Sequence, residues 1–339
     1  MDRVPQVFRE ATVSLVPVPI PDESKDVSAL PDKLWRIAFE RDWPNRKECQ
    51  LFILRNKNEW FYCINTNNVV PGFARTEPFL TLEGLRHSRL QLEFIRIMDI
   101  YICGDGGWPF GGRRRDMEKT DLFPIPSTFQ ALIDSVRPMI PHPAIVNMKL
   151  GVMSQCPSLS INGTFDKAAE EEIGRAMAPV DFASLGISDS RTAFHSIMET
   201  HFASRRISDK CGISLDGDED PVATMELIRR FFRTTPAFSN FNLHNVEFRL
   251  TFADFELIFD AILRMNFDWN QFDDMDIYYI FSGYFEREAN EQLKTFRPDL
   301  DYAGQNNQDD VLFRWVFHDK FRVTLYVWED DNRWEISFS

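Results

Sequence analysis

Few stretches of this sequence combine residue types and spacings that could support chemistry. Carboxylates alternate at Asp216, Asp218 and Asp220, a pattern that suits the first ligand positions of a calcium-binding loop. Such a loop needs a glycine where Pro221 stands and a bidentate glutamate where Leu227 stands. We therefore predict a solvated acidic loop that leads into a helix, and no metal site.

A glycine-rich stretch, GDGGWPFGG at 104–112, could bring backbone amides close to a phosphate. It contains neither the G-x-x-x-x-G-K-[ST] pattern of a phosphate-binding loop nor a G-x-G-x-x-G that leads directly into a helix, so the sequence favours a surface loop. The basic run at 113–115 that follows it is interpreted as a solvated loop. The formal net charge of −14 argues against nucleic acid or an acidic membrane as a partner.

The remaining reactive side chains show no catalytic arrangement. The five cysteines are widely spaced and include no C-x-x-C pair, which predicts reduced thiols and no zinc site. The histidines are scattered, and His201 lies on the apolar face of a predicted helix, where a buried core histidine is the more common case. Asn162-Gly163-Thr164 matches a glycosylation acceptor but is better interpreted as a strand-to-helix turn in which Thr164 caps the helix. We predict that the protein is not an enzyme and uses no cofactor.

Length and hydropathy place the chain among folded globular proteins. It has 339 residues, of which 44% are apolar and 31 are phenylalanine, enough for a small module and one larger domain. Residues 1–29 contain several prolines and predict an extended or disordered arm. No run approaches the roughly 18 apolar residues of a membrane span, and no signal peptide is evident. We expect a cytoplasmic or nuclear protein that does not bind membranes.

Residues 30–65 carry the pattern that most strongly indicates a specific partner. Pro31 suits the first turn of a helix that continues to about Asp42, where a proline interrupts the pattern. A second helix is predicted from Asn45 to about Trp60, followed by a third short apolar piece. These segments together predict a compact three-helix unit.

The same residues resemble a divergent F-box, the small helical module through which substrate adaptors bind the Skp-type linker of cullin-based ubiquitin ligases. The residues that carry the resemblance are Leu30, Pro31, Leu34, Ile37, Asp42, Trp43, Arg46, Leu51, Leu54, Trp60 and Phe61. The resemblance implies an F-box-like module at 30–66. It also implies linker contacts through Leu30, Pro31, Leu34, Trp35, Ile37, Trp43 and Arg46.

After a turn-rich boundary at 65–75, the sequence predicts a βα-repeat domain over residues 76–339. An apolar run at 90–103 predicts strand, and a helix is predicted from Thr128. Short strands then alternate with amphipathic helices. The predicted strands are 148–153, 159–161, 182–187, 211–215, 241–248 and 276–281. Such units join parallel strands through right-handed crossovers, which favours an irregular horseshoe similar to leucine-rich repeats; an ordinary open α/β sheet is the alternative. The repeat is also similar to the regions that follow divergent F-boxes.

The C-terminal residues 311–339 change from helical to strand periodicity. Three alternating segments, at 311–317, 321–328 and 333–339, are separated by stretches of hairpin-turn length. The pattern predicts an antiparallel β-meander that caps the repeat domain. Its predicted core side carries Phe321, Val323, Leu325, Val327, Trp334, Ile336 and Phe338.

Two classes of function fit this organisation. One is a substrate-recognition adaptor of a cullin-type (SCF) ubiquitin ligase, which binds the Skp-type linker through residues 30–66 and an unknown target protein through the repeat domain. The other is a repeat-type protein-interaction scaffold that is unrelated to ubiquitin. An acidic and aromatic stretch at 266–276 is either a protein-binding loop or a tight connection. The predicted target-binding residues are Asn242, His244, Glu247 and Tyr278.

Overall fold

The computed structural model divides the chain into two compact units, Met1–Phe182 and Ala183–Ser339. It describes residues 47–65, 79–87, 95–105, 122–141, 157–182, 184–188, 192–203, 210–213, 221–235, 241–243, 249–264, 278–293, 295–296, 301–302, 305–307, 310–318, 321–328 and 333–338. Each unit consists of a mixed sheet with α-helices, so the predicted α/β class is confirmed.

The first unit is built on a sheet with the strand order β4-β2-β1-β3-β5. Its elements are β1 Lys47–Asn56, β2 Glu59–Asn65, α1 Leu82–His87, β3 Ile95–Cys103, β4 Phe123–Pro124, α2 Phe129–Val136, β5 Ser158–Asn162 and α3 Lys167–Met177. β1, β3 and β5 run parallel, whereas β2 is antiparallel to both β1 and β4. The strand predicted within 90–103 is confirmed as β3, and the strand predicted at 159–161 is confirmed as β5.

β1 and β2 form a β-hairpin, so the second helix predicted from Asn45 to about Trp60 is wrong. The chain reverses at Lys57 and Asn58, whose φ angles of 48° and 67° are both positive. A type I′ turn requires positive φ at both residues of a two-residue loop. The twist of such a turn matches the twist of the flanking strands. The third apolar piece of the predicted helical unit lies in β2.

The error has a physical cause in the burial of both faces of β1. Phe52 and Ile53 point to opposite sides of the strand, yet each is at most 2% exposed. An apolar run that is buried on both sides fits a helical stripe as well as a strand, because strict alternation is lost. The predicted first helix of the F-box-like module, at 31–42, lies outside the described residues.

One face of the first sheet packs against α2 and α3. Two aliphatic rows cross its three parallel strands: Leu51, Ile100 and Leu159 form one, and Ile53, Ile102 and Ile161 form the other. Trp60 of β2 extends this face. Its ring lies 4.8 Å from that of Phe129 on α2, and its indole N–H donates to Glu172 of α3 over 3.0 Å. Removal of these side chains from water stabilises the unit at about 25 cal/mol per Å² of apolar surface.

Side-chain caps fix the starts of both packed helices. The Thr128 hydroxyl accepts a hydrogen bond from a backbone N–H of the first turn of α2, which confirms the helix predicted from this residue. The α3 cap is Asp166, whose carboxylate accepts from the Ala169 N–H over 2.9 Å. The predicted cap at Thr164 is wrong, because its hydroxyl instead donates to the carbonyl of Asp105. The predicted strand-to-helix turn itself is present between β5 and α3.

The second unit is built on parallel strands that continue into an antiparallel meander. Its elements are β6 Ser184–Ile187, α4 His195–Ala203, β7 Lys210–Ile213, α5 Pro221–Thr234, β8 Phe241–Leu243, β9 Arg249–Leu250, α6 Phe252–Arg264, β10 Tyr278–Phe285, α7 Ala289–Leu293, β11 Asp301–Tyr302, β12 Gln305–Asn307, β13 Asp310–His318, β14 Phe321–Trp328 and β15 Arg333–Phe338. β6, β7, β8 and β10 are parallel neighbours in that order, and the order then continues as β15, β14, β13 and β11 with antiparallel pairing.

Within the second unit, this topology confirms the parallel strands predicted between residues 182 and 281 and the C-terminal meander. The final strand, β15, pairs with β14 on one side and with β10 on the other, so it joins the meander to the parallel strands. The strand predicted at 148–153 lies outside the described residues. The predicted boundary at 65–75 also falls mostly outside them, and β1 on one side of it pairs with β3 on the other.

The helices of the second unit pack on one face of its sheet through aromatic side chains. Phe232 of α5 lies 4.9 Å from Phe241 of β8, and Phe255 of α6 lies 5.3 Å from Trp334 of β15. The buried predicted core positions of the meander are Val323, Leu325, Val327, Trp334 and Ile336, as expected from the alternation. The Phe255 and Trp334 rings meet edge-to-face, an arrangement that adds to the stability that burial alone provides.

Candidate functional site

The side of the second sheet opposite its helices carries a set of aromatic and arginine side chains, which we call the second outer face. It is identified by strand alternation: Phe241, Phe285, Trp315 and Trp334 contact helices or one another, so their strand neighbours point the other way. Its described members are Asn242, Arg249, Ser282, Tyr284, Arg314, Thr324, Tyr326, Trp328, Arg333, Glu335 and Ser337.

Register aligns these side chains in rows that cross the strands. In one row Trp328 of β14 stands opposite Arg333 of β15, which stands opposite Tyr284 of β10. In the next row Tyr326 stands opposite Glu335. Small polar side chains form the buried floor of the face, namely Ser282, Thr324 and Ser337, each at most 5% exposed. The sheet therefore presents its aromatic and charged groups at fixed spacings from a rigid base.

Arg333 is the best-anchored charged group on the second outer face. Its guanidinium lies 2.6 Å from the Glu335 carboxylate and 5.7 Å from the centre of the Trp328 ring. Two of its nitrogens also donate to the Ser282 hydroxyl over 3.4 Å. A guanidinium that stacks on an aromatic ring and pairs with a carboxylate has little freedom left, so this cluster is held in one geometry.

The electrostatics of this cluster depend on burial. Burial raises the pKa of Glu335 above its ordinary value, and the attraction of Arg333 offsets only part of that rise. The side chain of Glu335 is 15% exposed, against 38% for Arg333. The cationic end of the pair is therefore the one presented to solvent.

Aromatic groups surround the Arg333 cluster. The Tyr326 and Trp328 rings lie 6.1 Å apart on β14, and the Arg249 guanidinium lies 5.5 Å from the centre of the Tyr284 ring. These four side chains are half-buried or exposed. Tyrosine, tryptophan and arginine are the residue types enriched at the centres of protein interfaces.

The corresponding side of the first sheet, which we call the first outer face, is polar in a different way. Asp99 of β3 accepts hydrogen bonds from the Gln50 amide over 3.0 Å and from the Ser158 hydroxyl over 2.6 Å. Register places these three residues in one row across β1, β3 and β5. The carboxylate is thus held by its own strand neighbours.

The next row of the first outer face is aromatic and partly covered. The rings of Phe52 and Tyr101 stack with centroids 5.0 Å apart, and the partly buried Phe79, Leu122 and Phe123 pack against the same cluster. Burial, with a contribution from nearby Asp99, raises the pKa of Tyr101 to about 12, so its hydroxyl stays protonated at neutral pH. This row serves the packing of the first unit.

Few of the site residues predicted from sequence can be placed. Asn242 lies on the second outer face, half-buried on β8, where register puts it opposite Ser282. Tyr278 is the first residue of β10, but its side chain is outside the described part, as are His244 and Glu247. The predicted linker-binding residues also lie outside the described residues, namely Leu30, Pro31, Leu34, Trp35, Ile37, Trp43 and Arg46.

The sequence interpretation missed Tyr284, Tyr326, Trp328 and Arg333. The segment FRVTLYVW at 321–328 could have indicated two of them. The prediction considered only positions 321, 323, 325 and 327, which are apolar and form the predicted core side. The other set contains two aromatic residues, and aromatic residues on the side of a strand that faces away from the core indicate a binding surface.

Other kinds of site find no support in the part of the chain that the structure describes. Within it, no group of three or more histidine, cysteine, aspartate or glutamate side chains is arranged to hold a metal ion. No described helix combines the length and apolar character needed to cross a bilayer. Cys49, Cys63 and Cys103 are buried, and burial raises the pKa of the Cys103 thiol to about 12, which makes it a poor nucleophile.

Comparison with known proteins supplies no relative for this chain. No family model, no curated protein and no solved structure matches it.

Proposed function

We propose that this chain is a non-enzymatic recognition protein that binds a partner protein through the second outer face. The observation that carries the proposal is the half-buried group of Tyr284, Tyr326, Trp328 and Arg333, which keeps part of its surface accessible on the side of the sheet opposite the helices. A rigid sheet holds these side chains in register, so little conformational entropy is lost when they bind.

One buried carboxylate of the second unit has a structural rather than a catalytic role. Asp254 accepts hydrogen bonds from Arg229 of α5 and from Thr251 at the start of α6. This arrangement caps a helix and pairs a buried charge, which is a structural role. The acidic net charge of −14 disfavours nucleic acid as the partner.

The narrower form of the proposal is the ubiquitin-ligase adaptor, in which the second outer face would bind the target and residues 30–46 the Skp-type linker. Its support is the sequence pattern that begins at Leu30 and Pro31. Residues 47–65 form two strands where an F-box has helices, so the C-terminal half of the resemblance no longer supports the adaptor. The adaptor therefore rests on fewer residues than the general binding function, and a plain interaction scaffold is the simpler proposal.

We also propose that the fold of the chain resembles that of leucine-rich repeats. It is supported within each unit by parallel strands with packed helices on one face, the arrangement that leaves the opposite face of a repeat sheet for partners. The irregular spacing of the strands in sequence distinguishes it from a consensus repeat.

The test is a quantitative copurification from the cells that express the protein, with three full-length forms. Tyr326→Thr together with Trp328→Thr removes both rings from β14 but keeps residues that favour strands. Val222→Thr, at a side chain 76% exposed on α5, is the matched control on the helix side of the sheet. Thermal melts of all three forms show whether the fold is retained.

The proposal expects specific proteins to bind the wild type and the Val222→Thr form equally and to be lost from the double variant. Each interface ring of this kind typically contributes about 2 kcal/mol or more, so the loss should be nearly complete. Equal capture by all three folded forms would refute the role of the second outer face. Purified Skp-type linker, added in a separate experiment, tests the adaptor: no binding by the wild type removes that narrower form alone.

A further inference from the structure

Arg314 differs from the other charged groups of the second outer face in its surroundings. It lies on β13 next to the buried Trp315, so alternation points it to the side opposite the helices. Register sets it opposite Thr324, and Tyr326 is its diagonal neighbour on β14. Its Nε is buried and, among the described residues, has no hydrogen-bond partner.

The charge balance of the face makes this position significant. Among the side chains described on it, arginines stand at 249, 314 and 333, whereas Glu335 is the one carboxylate, and it pairs with Arg333. The described side chains of the face therefore carry a net positive charge, although the whole chain has a formal net charge of −14. A guanidinium with a buried nitrogen that lacks an acceptor costs free energy, and a carboxylate that a partner places against the exposed part of this half-buried side chain offsets that cost.

We propose that the second outer face recognises a carboxylate of its partner, an aspartate or glutamate side chain, with Arg314 as the residue that binds it. This inference rests on the proposed binding function and specifies the chemistry of the partner. The planar guanidinium offers a two-pronged set of donors that matches a carboxylate, while the neighbouring Tyr326 ring provides an apolar contact beside it. The preferred partner segment is thus acidic, with an apolar or aromatic residue next to the acid.

The experiment selects ligands from a randomised 12-residue peptide library displayed on a carrier, with full-length protein as bait. Four baits are compared: wild type, Arg314→Gln, Arg314→Lys and Arg230→Gln. Arg230 is the matched control, because it lies on α5, is 57% exposed and loses the same charge. Arg314→Gln removes a buried nitrogen without an acceptor, so it should melt no lower than wild type.

The proposal expects wild type and Arg230→Gln to enrich the same peptides, rich in aspartate or glutamate beside an apolar residue. Affinity for the leading peptide should fall about tenfold or more in Arg314→Gln, the typical loss of a charge-assisted hydrogen-bond pair. Arg314→Lys should recover only part of the affinity, because an ammonium cannot bind a carboxylate in the two-pronged manner. Added salt should weaken binding to the wild type more than binding to Arg314→Gln.

The outcomes separate this inference from the function on which it rests. Enriched peptides without acidic residues, lost in Tyr326→Thr/Trp328→Thr but retained in Arg314→Gln, would overturn the carboxylate inference and leave the binding face intact. Peptides that bind the Tyr326→Thr/Trp328→Thr form as well as wild type, or no enrichment at all by the wild type, would overturn both.

Discussion

The two units use the same strand-and-helix arrangement but leave opposite kinds of surface on the side away from their helices. On the first outer face, Asp99 is engaged by Gln50 and Ser158, so its charge is satisfied by the sheet itself. On the second outer face, the buried Nε of Arg314 has no hydrogen-bond partner among the described residues, and Tyr326 and Trp328 are only half-buried. The comparison suggests a distinction: a polar row whose members bond to one another stabilises a sheet, whereas a guanidinium nitrogen without an acceptor beside partly accessible rings is the feature expected where a partner binds.

The cores differ as well where the strands meet: aliphatic rows cross the parallel strands of the first unit, whereas aromatic rings join β10 and β15 of the second. Trp334 is fully buried, stacks on Phe285 at 4.0 Å and meets Phe255 edge-on. Trp334→Ala should therefore give the largest destabilisation, about 3–5 kcal/mol, measured by urea unfolding. Leu159→Ala in the aliphatic row of the first unit should lower the unfolding free energy by less, near the lower end of the typical range of about 2–5 kcal/mol. A smaller loss for Trp334→Ala than for Leu159→Ala would break the contrast between the two cores.

Neighbouring backbone approaches Gly104 of the first unit more closely than any backbone approaches Gly283 of the second. A Cβ at Gly104, directly after β3, would overlap the backbone carbonyl oxygen of Thr164, whereas a Cβ at Gly283 of β10 would meet the Phe281 ring at 3.0 Å. We expect Gly104→Ala to cost about 3 kcal/mol, because backbone must move, and Gly283→Ala to cost about 1 kcal/mol, because a side chain can shift. Guanidinium unfolding of both variants measures this difference, and equal costs would contradict it.

The buried ion pair of the second unit predicts a dependence of stability on pH. Burial alone would raise the pKa of Asp254, but hydrogen bonds from Arg229 and Thr251 outweigh that effect and hold the pKa below its usual value. A carboxylate with a lowered folded pKa stabilises the fold at pH values above its unfolded pKa of about 3.9 and loses that contribution as pH falls through the folded value.

Asp254→Ala should accordingly cost about 2 kcal/mol at pH 7, the typical worth of hydrogen bonds to a charged group with a partly exposed partner. The difference in unfolding free energy between wild type and Asp254→Ala should shrink as pH falls below about 4. Urea unfolding at pH 7, 5 and 3 measures it. A difference that grows towards acid would show that the pair does not stabilise the fold in the ionised form.

The polar row of the first outer face is expected to give a smaller effect. Asp99→Ala leaves the Gln50 and Ser158 donors without their acceptor, but both are half-exposed and water can replace it. The expected cost is about 1 kcal/mol in urea unfolding, with no change in peptide affinity. Loss of peptide binding in a folded Asp99→Ala form would assign recognition to the first outer face instead.

Much of the second unit could be predicted from the sequence because its signals are local. The segments 311–317, 321–328 and 333–339 alternate strictly, and each became a strand of the meander. The hairpin at 47–65 could not be predicted from apolar pattern alone, because β1 is buried on both faces. The signal that decides it is the pair Lys57 and Asn58, and only the backbone shows that both adopt positive φ.

The candidate site was only partly predictable. Alternation in 321–328 could have indicated Tyr326 and Trp328, since the residues that face away from the core are the complement of those that face it. The row that joins Gln50, Asp99 and Ser158 brings together residues 49 and 59 positions apart in sequence. Pairing over such distances depends on the order of the strands in the sheet, which no local pattern contains.

Side-chain footprinting of the full-length protein, alone and bound to the peptide most enriched by the wild type, tests the central claim most directly. Hydroxyl radicals oxidise accessible tyrosine and tryptophan side chains, so the two outer faces report separately through Tyr326 and Trp328 on one and Tyr101 on the other. The second outer face is expected to lose reactivity in the complex, while Tyr101 and the buried Trp60 stay unchanged. Unchanged reactivity at Tyr326 and Trp328, together with protection of Tyr101, would contradict the assignment of recognition to the second outer face.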